Sequence, residues 1–178
     1  MSEKQTSINE FYALLVRDYM QPIDTTDSYV EKTDEINHVF HLLSHQHHLW
    51  VVDQKSTMQV LGIITESDTI QLFAPAYTPL QSFDKPTLQS FQFGLSTNAQ
   101  EIMSAQPITA EPDDTLGDVI TKMKQHKIKQ LAVIDADDRL IGELTLHHLI
   151  LEYSKRQRTV TPKKNTITPG ENTLTDTE

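Results

Sequence analysis

The sequence predicts an α+β protein built from two β-α-β-β-α repeats, and three features carry this prediction. Leu61-Gly-Ile-Ile-Thr-Glu-Ser-Asp68 returns, imperfectly, as Ile141-Gly-Glu-Leu-Thr-Leu-His-His148. A strongly apolar run followed by aspartate also occurs twice, at Leu49–Val52 and at Leu131–Ile134. Apolar residues at helical spacing precede each of these runs. Internal repeats of this kind indicate two units that bury a common core.

The first repeat is predicted from polar caps and apolar spacing. Val60–Ile64 is a strand, and Thr65 lies at the start of the helix that follows it. The other predicted elements are a strand at Ser28–Val30, a helix capped by Thr33 or Asp34 with Ile36, Val39, Phe40 and Leu43 on one face, a strand at Leu49–Val52 and a helix at Asp68–Phe73.

The second repeat follows the same order. Thr115 is predicted to start its first helix, because apolar residues then recur at i, i+3, i+4 and i+7. The predicted elements are a strand at Pro107–Ala110, a helix with Leu116, Val119, Ile120 and Met123 on one face, strands at Leu131–Ile134 and Leu140–Thr145, and a helix at His147–Tyr153.

Outside the repeats, the pattern divides the chain further. Ser7-Ile-Asn-Glu10 fits a capping box that opens an amphipathic helix reaching Tyr19, which Met20-Gln-Pro22 ends. A threonine-rich end has too few large apolar residues to offset its ordering entropy. The predicted organisation is a helical arm at 1–15, the first repeat at 16–73, a linker with prolines and aromatic residues at 74–97, the second repeat at 98–156 and a disordered tail at 157–178.

Composition excludes several classes of protein. The net charge of −10 and the pI near 5.2 disfavour a nucleic-acid binder, which concentrates lysine and arginine to replace phosphate counterions. The absence of cysteine excludes disulfides and thiolate sites. No stretch approaches the roughly 18 consecutive apolar residues of a membrane span. We therefore expect a soluble cytoplasmic protein that binds neither nucleic acid nor a membrane.

The two threonines at the predicted strand-to-helix junctions, Thr65 and Thr145, suggest ligand binding. Such a junction directs free backbone N–H groups and a hydroxyl outward, which suits phosphate. The chain is thus expected to hold a nucleotide between two such junctions.

The two β-α-β-β-α copies resemble a tandem pair of cystathionine β-synthase (CBS) domains, a Bateman module. Each copy has a lead-in that ends in methionine, at Val16–Met20 and Ala99–Met103, and the first closes with Gly62-Ile-Ile-Thr-Glu-Ser-Asp68. The resemblance covers roughly residues 12–155, as in a stand-alone pair. It implies a non-catalytic sensor whose halves pack about a pseudo-twofold axis, usually as a homodimer. Its ligand would be AMP, ADP, ATP or S-adenosylmethionine.

The resemblance also implies roles for individual residues. Thr65 would contact phosphate or ribose, and the Asp68 carboxylate would accept hydrogen bonds from the ribose hydroxyls. His148 replaces the corresponding aspartate of the second copy and could accept from only one hydroxyl. The remaining candidate ligand-binding residues are Tyr29, Val30, Trp50 and Val51, which lie where the family binds the base, and, in the second copy, Ile108, Thr109, Ala132 and Thr145.

Two alternatives to a nucleotide sensor stay open at this stage. The clefts could be empty or filled by Trp50 and Tyr29, which would make the chain an interaction scaffold, with residues 75–97 or the first helix as the contact for a regulated protein. His38, His41 and His45 share one predicted helix face and could bind zinc or nickel. Without a carboxylate to orient them, such exposed histidines are more often a polar face. No hydrolase, zinc-protease or Walker motif supports a catalytic residue.

Overall fold

The computed structural model describes residues 3–23, 26–73 and 98–160. The predicted linker at 74–97 and the tail beyond Val160 lie outside the described residues. Within them, the predicted α+β fold of two related halves is confirmed.

The helices and strands alternate much as predicted. The helices are α1 (Glu3–Tyr12), α2 (Ile36–Leu43), α3 (Glu66–Phe73), α4 (Leu116–His126) and α5 (Leu146–Val160). The strands are β1 (Gln21–Pro22), β2 (Tyr29–Glu31), β3 (His48–Val52), β4 (Val60–Thr65), β5 (Ser104–Ala105), β6 (Thr109–Ala110), β7 (Gln130–Ile134) and β8 (Leu140–Thr145). Single turns of 3-10 helix at Val16–Asp18 and Ala99–Glu101 precede β1 and β5.

The two sheets exchange a strand, which the sequence did not reveal. One sheet has the order β2-β3-β4-β5 and the other β1-β8-β7-β6. The short strand that leads into each repeat therefore pairs with the other repeat. Gly62 of β4 lies opposite Ala105 of β5, and Gly142 of β8 lies opposite Pro22 of β1.

This exchange explains why each repeat carries a glycine and each lead-in a methionine. A Cβ on Gly62 would lie 2.7 Å from Sδ of Met103 and 2.8 Å from the carbonyl oxygen of Ser104. A Cβ on Gly142 would lie 2.9 Å from the carbonyl oxygen of Gln21 and 3.0 Å from Sδ of Met20. Only glycine lets the exchanged strand and its methionine approach this closely.

Three apolar clusters hold the fold together. The first half packs around Val39, Leu49 and Ile64, and the second around Leu116, Leu131 and Leu144. The exchange adds Val16 to the second cluster and Ile102 to the first. The cluster that joins the two halves is contributed mainly by β3, β4, β7 and β8, and its fully or nearly fully buried members are Trp50, Val52, Ala132 and Leu140.

The N-terminal helix differs from the prediction. It begins at Glu3, so the proposed capping box at Ser7–Glu10 lies inside the helix, and it ends at Tyr12 instead of Tyr19. Leu15 is extended and forms a bridge with Thr115, while the next N–H group donates to the carbonyl of Asp114. These contacts with the second half override the helical periodicity.

Two other helix ends also differ. The N-cap of α2 is Glu35, not Thr33 or Asp34, because the Asp34 carboxylate instead accepts the N–H of Glu31. Helix α5 continues to Val160, beyond the predicted end at Tyr153 and past position 157, where the tail was expected to begin. Thr115 caps α4 as predicted, in a reciprocal capping box with Asp118.

Candidate functional site

A cavity of about 340 Å³ opens between the two halves. Its walls come from the middle of β3, the end of β4 and the start of α3 in the first half, and from β5, the segment after it, the end of α4 and the start of β7 in the second. The lining residues are Trp50, Ile63, Thr65, Asp68, Ser104, Ala105, Gln106, Pro107, Ile108, His126, Ile128 and Gln130.

Thr65 and Asp68 form the polar corner of this cavity. The backbone N–H and the hydroxyl of Thr65 both donate to Oδ2 of Asp68, each at 2.7 Å. The spacing of three residues across the start of α3 produces this contact, because the side chain of the third helical residue reaches back to the N-cap. The carboxylate is therefore fixed in orientation at the strand-to-helix junction.

The exchanged strand completes the corner. The hydroxyl of Ser104, on β5, donates to Oδ1 of Asp68 at 3.0 Å. Oδ1 retains capacity for a further donor, since each carboxylate oxygen accepts more than one hydrogen bond. A ligand hydroxyl could thus bind where Thr65, Asp68 and Ser104 converge.

The remaining walls are mainly apolar. Ile63, Ile108 and Ile128 provide aliphatic surface, and the Trp50 ring lies beside them with 1% of its surface exposed. The side chains of Gln106, Gln130 and His126 supply neutral or weakly basic polar groups. Apolar walls with a few convergent polar groups are typical of small-molecule sites.

The structure brings Thr65, Asp68, Trp50 and Ile108 together, and it places the other predicted base contacts elsewhere. Val30 and Val51 are fully buried, in the core of the first half. Tyr29 packs half-buried against the cluster between the sheets. These three residues are not among those that line the cavity.

The equivalent region of the second half is built differently. Ile63 faces Trp50 across β3 and β4, and the corresponding position facing Ala132 is Glu143. The Glu143 carboxylate Oε2 accepts from Nε1 of Trp50 at 2.9 Å and from Nε2 of His48 at 2.8 Å. Glu143 of the second half thus bonds to two side chains of the first half, across the two sheets.

These contacts determine the charge of Glu143. Burial pushes the pKa of its carboxyl upward, but the hydrogen bond and charge of His48, together with the indole N–H, outweigh burial and hold that pKa below its ordinary value. Because both side chains are about one-seventh exposed, Glu143 at 14% and His48 at 16%, the pair is shielded from solvent.

In the part of the chain that the structure describes, Ile108 and His148 of the second copy line different cavities. His148 donates its backbone N–H to the Thr145 hydroxyl at 3.2 Å, and burial lowers the pKa of its imidazole. His148 also lines a separate cavity of about 340 Å³ with Gln21 and Lys155. Ala132 is fully buried between the sheets, and Thr109 pairs with it in β6.

Sequence reasoning missed the part of the site that the exchange supplies. Ser104, Gln106 and Pro107 belong to the lead-in of the second repeat, yet they line the same cavity as Thr65. A strand of two residues carries no periodic signal. The only indication in the sequence was Met103, the methionine before the strand. Its close approach to Gly62 is visible only in the structure.

The predicted histidine face is exposed, although α2 ends at Leu43 and His45 lies just beyond it. His38, His41 and His45 are all exposed, and the rings of His41 and His45 lie 5.7 Å apart. Among the described residues, no group of three or more His, Asp or Glu side chains is arranged to hold a metal ion. Over the same residues, no helix has the length and apolar character needed to cross a bilayer.

Comparison with known proteins decides the family. The sequence pattern of the CBS domain matches residues 16–74 and again 99–155. The chain belongs to the CBS domain family. The two matches correspond to the two halves of the fold, so the chain contains a tandem CBS pair.

Curated relatives are distant. An uncharacterised protein of Methanocaldococcus jannaschii is 29% identical over 100 residues, which span 51% of this chain and 58% of that protein. The chain thus matches little more than half the length of this relative.

Solved structures share the fold. CBSX2 in complex with AMP has a TM-score of 0.64 at 21% identity, with 82% of this chain and 99% of that one aligned. A CBS domain pair in complex with 5′-methylthioadenosine and S-adenosylmethionine has a TM-score of 0.58 at 20% identity, over 81% and 98% of the two chains. The CBS domain of a bacterial CNNM/CorC-family Mg²⁺ transporter with ATP has a TM-score of 0.62 at 16% identity, over 85% and 95%.

Proposed function

We propose that this CBS pair is a non-catalytic sensor that binds one adenosine-type ligand, an adenine nucleotide or S-adenosylmethionine, in the cavity beside Thr65 and Asp68. The observation that carries the proposal is the oriented carboxylate of Asp68, which faces a cavity with apolar walls. A ribose hydroxyl can donate to the remaining acceptor capacity of Oδ1, while the isoleucine side chains of the lining can pack against a base.

The likeness to structures solved with AMP, ATP and S-adenosylmethionine supports the ligand class. We place the ligand in the first cleft because Glu143, which stands at the second-half position equivalent to Ile63, already bonds to both His48 and Trp50. Displacing them would leave a buried carboxylate without its donors.

Regulation follows from the position of the cavity. Its walls come from both halves, so a bound ligand contacts both and favours the arrangement in which its contacts are best. A ligand shifts such an equilibrium only through different affinities for the two arrangements. We propose that a partner protein reads this shift, and that the chain acts as a homodimer.

The proposal is tested by thermal unfolding in the presence of adenosine, AMP, ADP, ATP and S-adenosylmethionine. A ligand at about 100 times its dissociation constant adds about 2.7 kcal/mol of stability, which a melting curve resolves. The stabilisation should disappear in Asp68→Ala and persist in Asp137→Ala, which removes an exposed carboxylate of the turn between β7 and β8. No stabilisation of the wild type by any of these compounds would reject the proposal and favour a scaffold.

A further inference from the structure

The charges that line the cavity are unusual for a phosphate site. Among the described lining residues, Asp68 is the only acid and His126 is the only side chain that can become a cation, and neither lysine nor arginine is present. The sequence of 74–97, outside the described residues, contains one lysine, Lys85, directly after Asp84. Proteins that bind polyphosphate usually place several cations around it.

At the cavity, the N-terminus of α3 is already occupied by a carboxylate of the protein itself, that of Asp68. Oδ2 of Asp68 accepts the Thr65 N–H and hydroxyl, which are the groups that a phosphate would otherwise use. Glu66 adds a second carboxylate to the first turn of α3. Acidic residues here offset the positive end of the helix dipole, so a phosphate at this corner would meet repulsion in place of attraction.

The other polar groups of the cavity suit neutral partners. Ser104, Gln106 and Gln130 offer a hydroxyl and two amides, which bond equally well to hydroxyl, amine and ring-nitrogen groups. None of them compensates a negative charge. Within the described part of the chain, the lining therefore has donors and acceptors for a nucleoside but no counter-charge for a chain of phosphates.

Resting on the proposed function, we propose that the cavity selects its ligand by charge and takes a nucleoside with a neutral or positively charged 5′ substituent in preference to a nucleoside polyphosphate. Adenosine, 5′-methylthioadenosine and S-adenosylmethionine belong to the favoured class, AMP is intermediate, and ATP is disfavoured. The specificity-determining feature is the lack of lysine and arginine among the described lining residues, while Asp68 accepts from the ribose.

The test is isothermal titration of the whole chain with adenosine, 5′-methylthioadenosine, AMP, ADP and ATP, without divalent metal, at low and high salt. Each added phosphate should weaken binding, and ATP should bind at least about tenfold more weakly than adenosine because like charges repel across a partly shielded cavity. The gap should narrow at high salt, where charges are screened.

A charge variant provides the matched comparison. Gln130→Lys places a cation in the lining and should raise the ratio of ATP affinity to adenosine affinity at least about tenfold, whereas Gln130→Met removes the amide without adding charge and should leave that ratio unaltered. ATP binding as tightly as adenosine in the wild type would overturn the inference while leaving the proposed function intact. Failure of every adenosine compound to bind would overturn both.

Discussion

Trp50 and Glu143 form a hydrogen bond that joins the two halves of the protein, with the indole Nε1 donating to Oε2 at 2.9 Å. His48 donates to the same oxygen, and its ring lies edge-on to the indole at 5.5 Å. Trp50 also lines the candidate cavity. The same side chain therefore contributes to the ligand site and to the contact between the sheets.

Loss of this acceptor should destabilise the folded protein. Glu143→Ala leaves the indole N–H and the His48 N–H without their partner in a shielded position, and we expect the free energy of unfolding to fall by about 2 to 3 kcal/mol. Urea unfolding measures this change. Trp50 is the chain's only tryptophan, so its fluorescence reports the same site directly.

The matched variant is Glu143→Gln, which keeps one acceptor oxygen and loses the charge. It should cost only about 1 kcal/mol, the scale of an ordinary hydrogen bond. Equal losses in the two variants would show that packing of the side chain, and not its acceptor role, stabilises the contact.

Acidification should weaken the fold through His148. Burial, together with His147 and His48, lowers the pKa of its imidazole, and the opposing Glu143 carboxylate does not restore it. Because the pKa of His148 is lower in the folded state, the unfolded chain binds more protons as the pH falls below its ordinary value of 6.5. The contribution of His148 to the free energy of unfolding is thus full above that pH and declines below it.

This pH dependence is measured as the urea midpoint in buffers on either side of the ordinary histidine pKa. The decline should be smaller in His148→Asn than in the wild type, and it should be retained in His38→Asn, which changes an exposed histidine of α2. An identical decline in all three proteins would contradict the role of His148. Glu143, with its lowered pKa, should add a second loss only below its ordinary value of 4.5.

The strand exchange makes Gly62 sensitive to substitution. In Gly62→Ala the new methyl group meets the Ser104 carbonyl at 2.8 Å, and a paired backbone cannot move as a flexible side chain can. We expect a loss of about 1 to 3 kcal/mol, the usual cost of overpacking. Ligand binding should weaken as well, because Ser104 would move away from Asp68.

Gly117→Ala is the comparison for this variant. Its Cβ would lie 3.2 Å from Cβ of Tyr12, and alanine is the better helix former, so the two effects oppose each other. Urea unfolding of both variants should show the larger loss for Gly62→Ala. The reverse order would argue against a rigid β4–β5 pairing.

The proposed homodimer can be tested on the helices that expose apolar side chains. Tyr12, Leu146, Ile150 and Leu151 are between 39% and 55% exposed on α1 and α5, beside an apolar groove of about 370 Å³. Light scattering after gel filtration should show a dimer for the wild type and a monomer for Ile150→Glu. The control is Gln125→Glu, at an exposed position of α4, which should remain a dimer. A monomeric wild type would refute the proposed dimer.

The sequence predicted what depends on local pattern. The repeated Gly-x-x-Thr segments and the spacing around Thr115 were sufficient to place strands and helices, because burial on one face imposes a period. The resemblance built on those segments correctly indicated the CBS pair. The resemblance implied Thr65 and Asp68 as site residues, and the structure shows that they contact each other across the junction of β4 and α3.

What the sequence did not predict depends on the partner of each segment. Ser104 contacts Asp68 across 36 positions, and Glu143 contacts Trp50 across 93, so no local pattern indicates either contact. The N-terminal helix stops at Tyr12 because Leu15 finds a pairing partner in the second half. At these positions, tertiary contacts override the structure that the local periodicity favours.

The central claim is that the first cleft binds an adenosine-type ligand and that the second does not. Calorimetric titration with adenosine and AMP, on the wild type, Asp68→Ala and His148→Ala, tests it most directly. We predict one site per chain in the wild type, lost in Asp68→Ala and retained in His148→Ala. Two sites per chain, or a single site that disappears with His148 and survives without Asp68, would contradict the claim.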